Sequence, residues 1–238
     1  MIHSTRAPVA PSLSIVTPAL ADVGAYRKWF DRLQDLPELT ASRPKANTSV
    51  PTVELFFRAP ELLPEAYIEL AEELLQREWR LRLHGLRALP LFWSRRRRDI
   101  FMHLPARQVR RFALLCSQPW NFQGSDPNLS RTGISAAVHN VAELEAARHS
   151  NVSTFFVSPL FFVAGKAPPI GVQGLKELTD LRRPGESFIA LGGLNASNAA
   201  DCTRAGAEGI AVSSAIAQAL DPAKEVRSIL AALWAEHK

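Results

Sequence analysis

Residues 188–216 read FIALGGLNASNAADCTRAGAEGIAVSSAI. A short apolar run, Phe188 to Leu191, ends in Gly192-Gly193, and Ala196 to Ala205 then carries apolar residues at helical spacing before a second run, Ile210 to Val212. The pattern is strand, turn, helix, strand. Working outward, the same unit recurs. Thr132 to Val138 precedes Val141 to Ala147, Val152 to Val157 precedes Leu175 to Leu181, and Ile210 to Val212 precedes Ala223 to Trp234. In the first half, Leu13 to Thr17, Val53 to Phe57, Leu81 to His84 and Ile100 to His103 read as strands. Tyr26 to Leu36, Glu65 to Trp79 and Leu86 to Trp93 read as the helices between them. Asn140, Asn195 or Ser197, and Asp221 before Pro222 are expected helix N-caps, where a side-chain oxygen accepts from an unpaired backbone N–H. Eight strands alternating with helices predict an α/β chain folded as a closed (β/α)8 TIM barrel. An open doubly wound sheet is the weaker reading, because no GxGxxG follows the first strand.

The chain has 238 residues, 47% hydrophobic and 21% charged, with a net charge of +5. At about 150 residues per domain this allows one or two domains, and one barrel accounts for all of it. We expect a lead-in over residues 1–12 and a single domain over residues 13–238. Pro37 to Pro51 reads as a long connection or insertion, and Ser117 to Arg131, with Trp120 and Phe122, as a loop that covers the barrel mouth or packs on itself. No apolar run approaches the roughly 20 residues that cross a bilayer. The first residues lack a secretory apolar region, so no membrane partner and a cytoplasmic setting are expected. Cys116 and Cys202, 86 positions apart and without CxxC spacing, argue against a disulfide framework or a zinc site and read as packing residues. The run Arg95 to Arg98, followed by Arg107, Arg110 and Arg111, can grip phosphates. Without interleaved aromatics it reads better as a solvated helix end than as a nucleic-acid surface.

In such a barrel, ligand groups come from the C-terminal ends of the strands, and phosphates favour the loops after strands seven and eight. Gly192-Gly193 ends the seventh strand here, and with no Cβ in the way its backbone can approach an oxyanion. Ser213-Ser214 ends the eighth, at the start of a helix.

These segments resemble the thiamin phosphate synthase and TenI group of phosphate-binding barrels. The resemblance is carried by Val138-His139-Asn140, Val157-Ser158-Pro159-Leu160-Phe161 with Lys166, Leu191-Gly192-Gly193-Leu194-Asn195, Ala205 to Val212, and Ser213-Ser214-Ala215-Ile216. It is good from about Thr132 onward. Before that, only the first strand, Val53 to Arg58 and Met102-His103-Leu104 can be placed. Synthases of the group resemble one another in a Gln-x-Arg-x-Lys strand that grips a diphosphate, where this chain reads Glu54, Phe56 and Arg58. Their Asn-Asp pair is His84-Gly85 here, and their acidic metal ligand after the fourth strand falls among Pro105, Ala106 and Arg107. A serine two residues before the histidine of the fifth unit is Ala137, and the Thr-rich loop of the sixth is Val163-Ala164-Gly165. A Mg²⁺ diphosphate complex has few hard oxygen ligands in such a set.

The resemblance to the TenI branch, whose members are thiazole tautomerases, implies His139 as the acid/base group. Lys166 would steady a substrate carboxylate, and Gly192, Gly193, Ser213 and Ser214 would hold the phosphate. An imidazole near pKa 6.5 can both remove and deliver a proton at neutral pH. On the bland reading, His139 packs or caps a helix and Lys166 is an exposed loop residue. His84 and His103 face the mouth or sit as satisfied rim histidines, and Glu54 and Arg58 contact ligand or pair with each other across the mouth. Three functions compete: a tautomerase needing no metal or redox cofactor; a Mg²⁺-dependent thiamin phosphate synthase; and a phosphate-ligand sensor without turnover. The expected partner is a small thiazole phosphate, with a homo-oligomer left open.

Overall fold

The computed structural model describes residues 12–40, 52–94, 100–116, 133–150 and 152–235. The expected lead-in, apart from Ser12, the run Arg95 to Arg98 and the loop Ser117 to Arg131 lie outside the described residues, as do residues 41–51. Eight parallel strands close into one barrel in sequence order: β1 (Ser12–Val16), β2 (Thr52–Phe57), β3 (Leu81–His84), β4 (Ile100–Leu104), β5 (Ile134–Val138), β6 (Thr154–Val157), β7 (Ser187–Leu191) and β8 (Gly209–Val212). The expected (β/α)8 architecture is thus the observed one. Closure is a β1–β8 pairing with Ser12 opposite Gly209. A Cβ at Gly209 would lie 2.2 Å from Ser12 Oγ, so only glycine admits that approach.

The described helices are α1 (Val23–Asp31), α2 (Pro64–Gln76), α3 (Leu89–Ser94), α4 (Ala106–Cys116), α5 (Val141–His149), α6 (Gly171–Asp180), α7 (Ala199–Arg204), α8 (Ser214–Ala217) and α9 (Pro222–Ala235). Sequence periodicity located most of them but not all of their ends. The first starts at an unforeseen cap, Asp22, whose carboxylate accepts from Ala25 N at 2.8 Å, and it stops at Asp31 rather than Leu36. The second stops at Gln76, and Trp79 beyond it turns into the core. Asn140 and Asp221 cap as expected, accepting from Glu143 N and Lys224 N, each at 2.9 Å. Asn195 and Ser197 do not cap α7. Asn195 Oδ1 instead accepts from Ser197 N and its hydroxyl, a local turn that moves the helix start to Ala199.

Alternation along each strand sorts side chains into two layers. Outward residues such as Leu13, Leu55, Leu83, Met102, Phe155 and Ile210 join the helices in one large apolar shell. The inward layer is smaller and divided. Val16, Phe56, Phe156, Ile189 and Ala211 fill the barrel near its C-terminal end. Beneath them lie the buried polar residues Ser14, Glu54, Arg82 and Ser135. This charged layer was not anticipated.

Candidate functional site

A cavity of about 1190 Å³ opens at the C-terminal ends of the strands. Its floor is the apolar inward layer, Val16, Phe56, Leu191 and Ala211, together with His84 and His103. Its walls include Arg58, Arg107, Arg110, His139, Glu143, Ser158, Lys166, Gly192, Gly193, Ser213 and Ser214. Of the ten site residues expected from the sequence, only Glu54 is absent from this lining.

Glu54 lies one layer below, 7% exposed, with its carboxylate fully engaged. Ser14 Oγ donates to Oε1 at 2.6 Å, Arg82 Nε donates to Oε1 at 2.7 Å, and Arg82 Nη2 donates to Oε2 at 3.0 Å. The expected pairing of Glu54 with Arg58 is therefore corrected to one with Arg82. Glu54 and Arg58 are four residues apart along the chain, about 13 Å in extended backbone, whereas the next strand is only about 4.8 Å away. The cross-strand arginine is the nearer partner.

The corner at the end of β7, where the sequence led us to expect a phosphate, is built from glycine geometry. Gly192 and Gly193 have φ of +105° and +69°, and a Cβ on Gly193 would lie 2.7 Å from Phe161 Cβ. That crowding exists because the loops after β6 and β7 are joined: Leu160 N donates to Leu191 O and Phe161 N to Gly192 O, both at 2.9 Å. Asn198 Nδ2 donates to Gly193 O at 3.0 Å and fixes the far side. Ser213 precedes α8 without capping it by its side chain, so its hydroxyl is not consumed by the helix.

His139 sits at the entry to α5, half-buried. Its Nδ1 is 2.6 Å from Glu143 Oε2, which also accepts from His139 N at 3.0 Å. Because a carboxylate only accepts, Nδ1 carries the proton and Nε2 is left for other partners. Glu143 was not foreseen as part of the site, although Asn140 and Glu143 stand at capping-box spacing and the signal was in the sequence. Opposite, Arg58 is placed by Thr17, whose Oγ1 accepts from Arg58 N at 2.8 Å. Arg107 and Arg110 come from the first turns of α4, which contain no acidic residue. Among the described residues no carboxylate pairs with Arg58, Arg107, Arg110 or Lys166, so the wall is cationic and suited to anionic groups. Burial, reinforced by Arg58, Arg87 and Arg107, pushes His84 down to about 3. Burial, with His84, Arg82 and Arg58, holds His103 well below the usual histidine value. Both floor imidazoles are neutral at physiological pH.

For a hard divalent cation the described lining offers a single carboxylate, Glu143, already committed to His139. Such an ion asks for several oxygen ligands, and these residues do not fit it. No helix among the described residues is long and apolar enough to cross a membrane.

Residues 129–216, which supply His139, Lys166, both glycines and both serines, match the family model described as thiamine monophosphate synthase. Over this segment the chain is similar to the thiamin phosphate synthase and TenI family. A thiamine-phosphate synthase of Chloroflexus aurantiacus is 38% identical over 102 residues, 42% of this chain and 45% of that protein. One from Bacillus velezensis is 35% identical over 97 residues, 40% and 42% of the two chains. The sequence matches thus span less than half the length of these curated relatives. Likeness over the whole chain is one of fold. A thiamine phosphate pyrophosphorylase from Pyrococcus furiosus superposes with a TM-score of 0.64 at 16% identity, covering 96% of this chain and 98% of that one. A 3-hexulose-6-phosphate synthase from Salmonella typhimurium gives 0.62 at 14% identity, covering 94% and 99%.

Proposed function

We propose that the mouth binds a thiazole phosphate and that the chain is an enzyme of thiamin metabolism that shifts a proton on a thiazole phosphate carboxylate. The observation that carries this reading is the position of the His139–Glu143 pair on the same cavity as Gly192-Gly193 and Ser213-Ser214. The phosphate is held by the glycine backbone and serine hydroxyls, and a second anionic group lies against Lys166 and Arg58. His139 Nε2 takes the proton from the saturated ring carbon that bears the carboxylate, and the imidazolium so formed is stabilised by Glu143 on Nδ1. The same nitrogen returns the proton to the exocyclic carbon as the ring becomes aromatic. General acid–base transfer of this kind contributes about 10²- to 10⁴-fold.

A second reading is supported by the sequence relatives, which are thiamine-phosphate synthases and favour it over the first: coupling of a pyrimidine diphosphate to the thiazole phosphate. The cationic wall suits a diphosphate, while the described donors do not suit its Mg²⁺. One experiment separates the two. Purified chain is incubated with the thiazole carboxylate phosphate tautomer, and separately with both coupling substrates and Mg²⁺, each with His139→Ala as control. Tautomer conversion lost in H139A is expected. Thiamin phosphate formed in the second reaction, with none of the first, would replace the proton-transfer reading by the coupling one. Binding of thiazole phosphate with neither product would leave a sensor.

A further inference from the structure

Arg58, the first residue beyond β2, is half-buried and held by groups from three neighbouring elements. From the end of β1, Thr17 N donates to Phe56 O at 3.1 Å, and the Thr17 hydroxyl accepts from Arg58 N at 2.8 Å and donates to Arg58 O. From α2, Tyr67 reaches inward and is fully buried. Its oxygen accepts from His84 N at 2.7 Å, and its proton goes to Phe57 O at 3.1 Å. Phe57 stands opposite Leu83 in the β2–β3 pairing, so this hydroxyl sits at the last rung of that ladder, directly beneath Arg58 and His84. From the short turn after β3, Arg87 donates Nη1 to Leu62 O at 3.0 Å and Nη2 to Ala59 O at 2.7 Å. The Arg87 guanidinium carbon also lies 3.8 Å from the centre of the Tyr67 ring, which stacks on Phe57 at 4.6 Å and 7°.

We infer that Tyr67 and Arg87 are positioning residues that hold the start of the loop after β2, so that Arg58 presents its guanidinium to the ligand's anionic group farther from the glycine corner. Neither side chain lines the cavity, whereas Arg58 and His84 do. An effect of either on binding must therefore pass through the residues they hold. Packing alone needs only the Tyr67 ring. The hydroxyl adds a partner for a main-chain N–H on one strand and a carbonyl on the next, which sets the spacing of the two strand ends. Arg87 likewise commits its charge to two loop carbonyls. With the backbone so fixed, Arg58 gives up only side-chain freedom when an anion arrives, and the loop need not be ordered as well. The inference rests on the proposed placement of that anionic group against Arg58.

The test is calorimetric, on the full chain in a His139→Ala background that suppresses turnover, with two ligands. One is thiazole phosphate, and the other is the thiazole phosphate carboxylate, which carries one anionic group more. The ratio of their affinities reads the contact with Arg58, and Arg58→Met is expected to lower it. Tyr67→Phe and Arg87→Met are each expected to lower it about 3- to 10-fold, with thiazole phosphate bound as before. In an Arg58→Met background the same two substitutions are expected to change the ratio no further, because their effect is exerted through that side chain. Equal weakening of both ligands, an undiminished ratio in any of the three variants, or a second loss of the same size on top of Arg58→Met would each overturn the inference. If Tyr67→Phe does not fold, Arg87→Met decides. If the parent chain binds neither ligand, the proposed function falls, and the same set of variants titrated with inorganic pyrophosphate decides the positioning role by whether Tyr67→Phe and Arg87→Met weaken binding only while Arg58 is present.

Discussion

Replacing Arg82 by Met should destabilise the chain far more than replacing Arg82 and Glu54 together. The two side chains are 9% and 10% exposed, joined by contacts of 2.7 and 3.0 Å. At about 3 Å and an effective dielectric of about 20, unit charges attract by about 5–6 kcal/mol before desolvation is counted. Desolvation offsets much of this, so the intact pair contributes little net stability. Removing one partner leaves a buried, uncompensated carboxylate, at a cost of about 3–5 kcal/mol. Domains of this kind have about 5–15 kcal/mol in total. Equilibrium urea unfolding of the wild type, Arg82→Met, Glu54→Met and the double variant measures the coupling. The single arginine variant is expected to lose about 3–5 kcal/mol and the double variant to recover most of it. An Arg82→Met loss under about 1 kcal/mol, or a double variant no more stable than that single one, would refute the reasoning.

Other consequences are simpler to state. Gly193→Ala places a Cβ against Phe161 at φ +69°, a left-handed conformation that costs about 1–2 kcal/mol; calorimetry should show a lowered Tm and loss of thiazole phosphate binding, and unchanged affinity would count against the glycine corner. Burial pushes the Cys202 thiol up to about 12, so in a Cys116→Ser background a thiol reagent at pH 8 should react only after unfolding. Prompt reaction of the folded chain would contradict that. Burial alone would raise Glu186, but Arg148 and the Arg183 backbone N–H outweigh it and hold the carboxyl below its ordinary value. Its stabilisation is complete above the ordinary carboxylate range and drains away as pH falls through that range and on through the lowered value. Melting curves of Glu186→Gln should show lower stability at pH 7 and a flatter acid limb, and an unchanged limb would exclude Glu186 as a contributor.

The barrel was legible because apolar runs, turns and helical spacing repeat, and the cap at Asn140 because its chemistry is local. Helix ends were less so. Asp22, three residues before Ala25, looked like any loop acid, and Asn195 competed with its own backbone instead of capping. The rim residues His84, His103, His139 and Lys166 could be placed because each follows or closes a strand. Arg82 could not. In Leu81-Arg82-Leu83-His84 a single arginine between leucines reads as the solvent face of a strand, yet inside a closed barrel neither face is solvent. Only the register that sets Glu54, Arg82 and Ser135 on three separate strands shows what neutralises it.

The stitching of the β6 and β7 loops has a consequence for how affinity is distributed along a ligand. Leu160, Phe161, Ile170 and Gly171 all donate backbone hydrogen bonds that tie this arc to Leu191, Gly192, Pro159 and Leu160. The corner proposed to hold the phosphate is thus already in shape before anything arrives, and on that proposal a phosphate-bearing fragment would settle there without an entropic cost for loop ordering. The cationic wall opposite is made of long side chains that pair with no carboxylate among the described residues and must be immobilised on contact. A small phosphate ester should therefore retain a disproportionate share of the whole ligand's affinity, and groups added toward Arg107 and Arg110 should change selectivity more than strength.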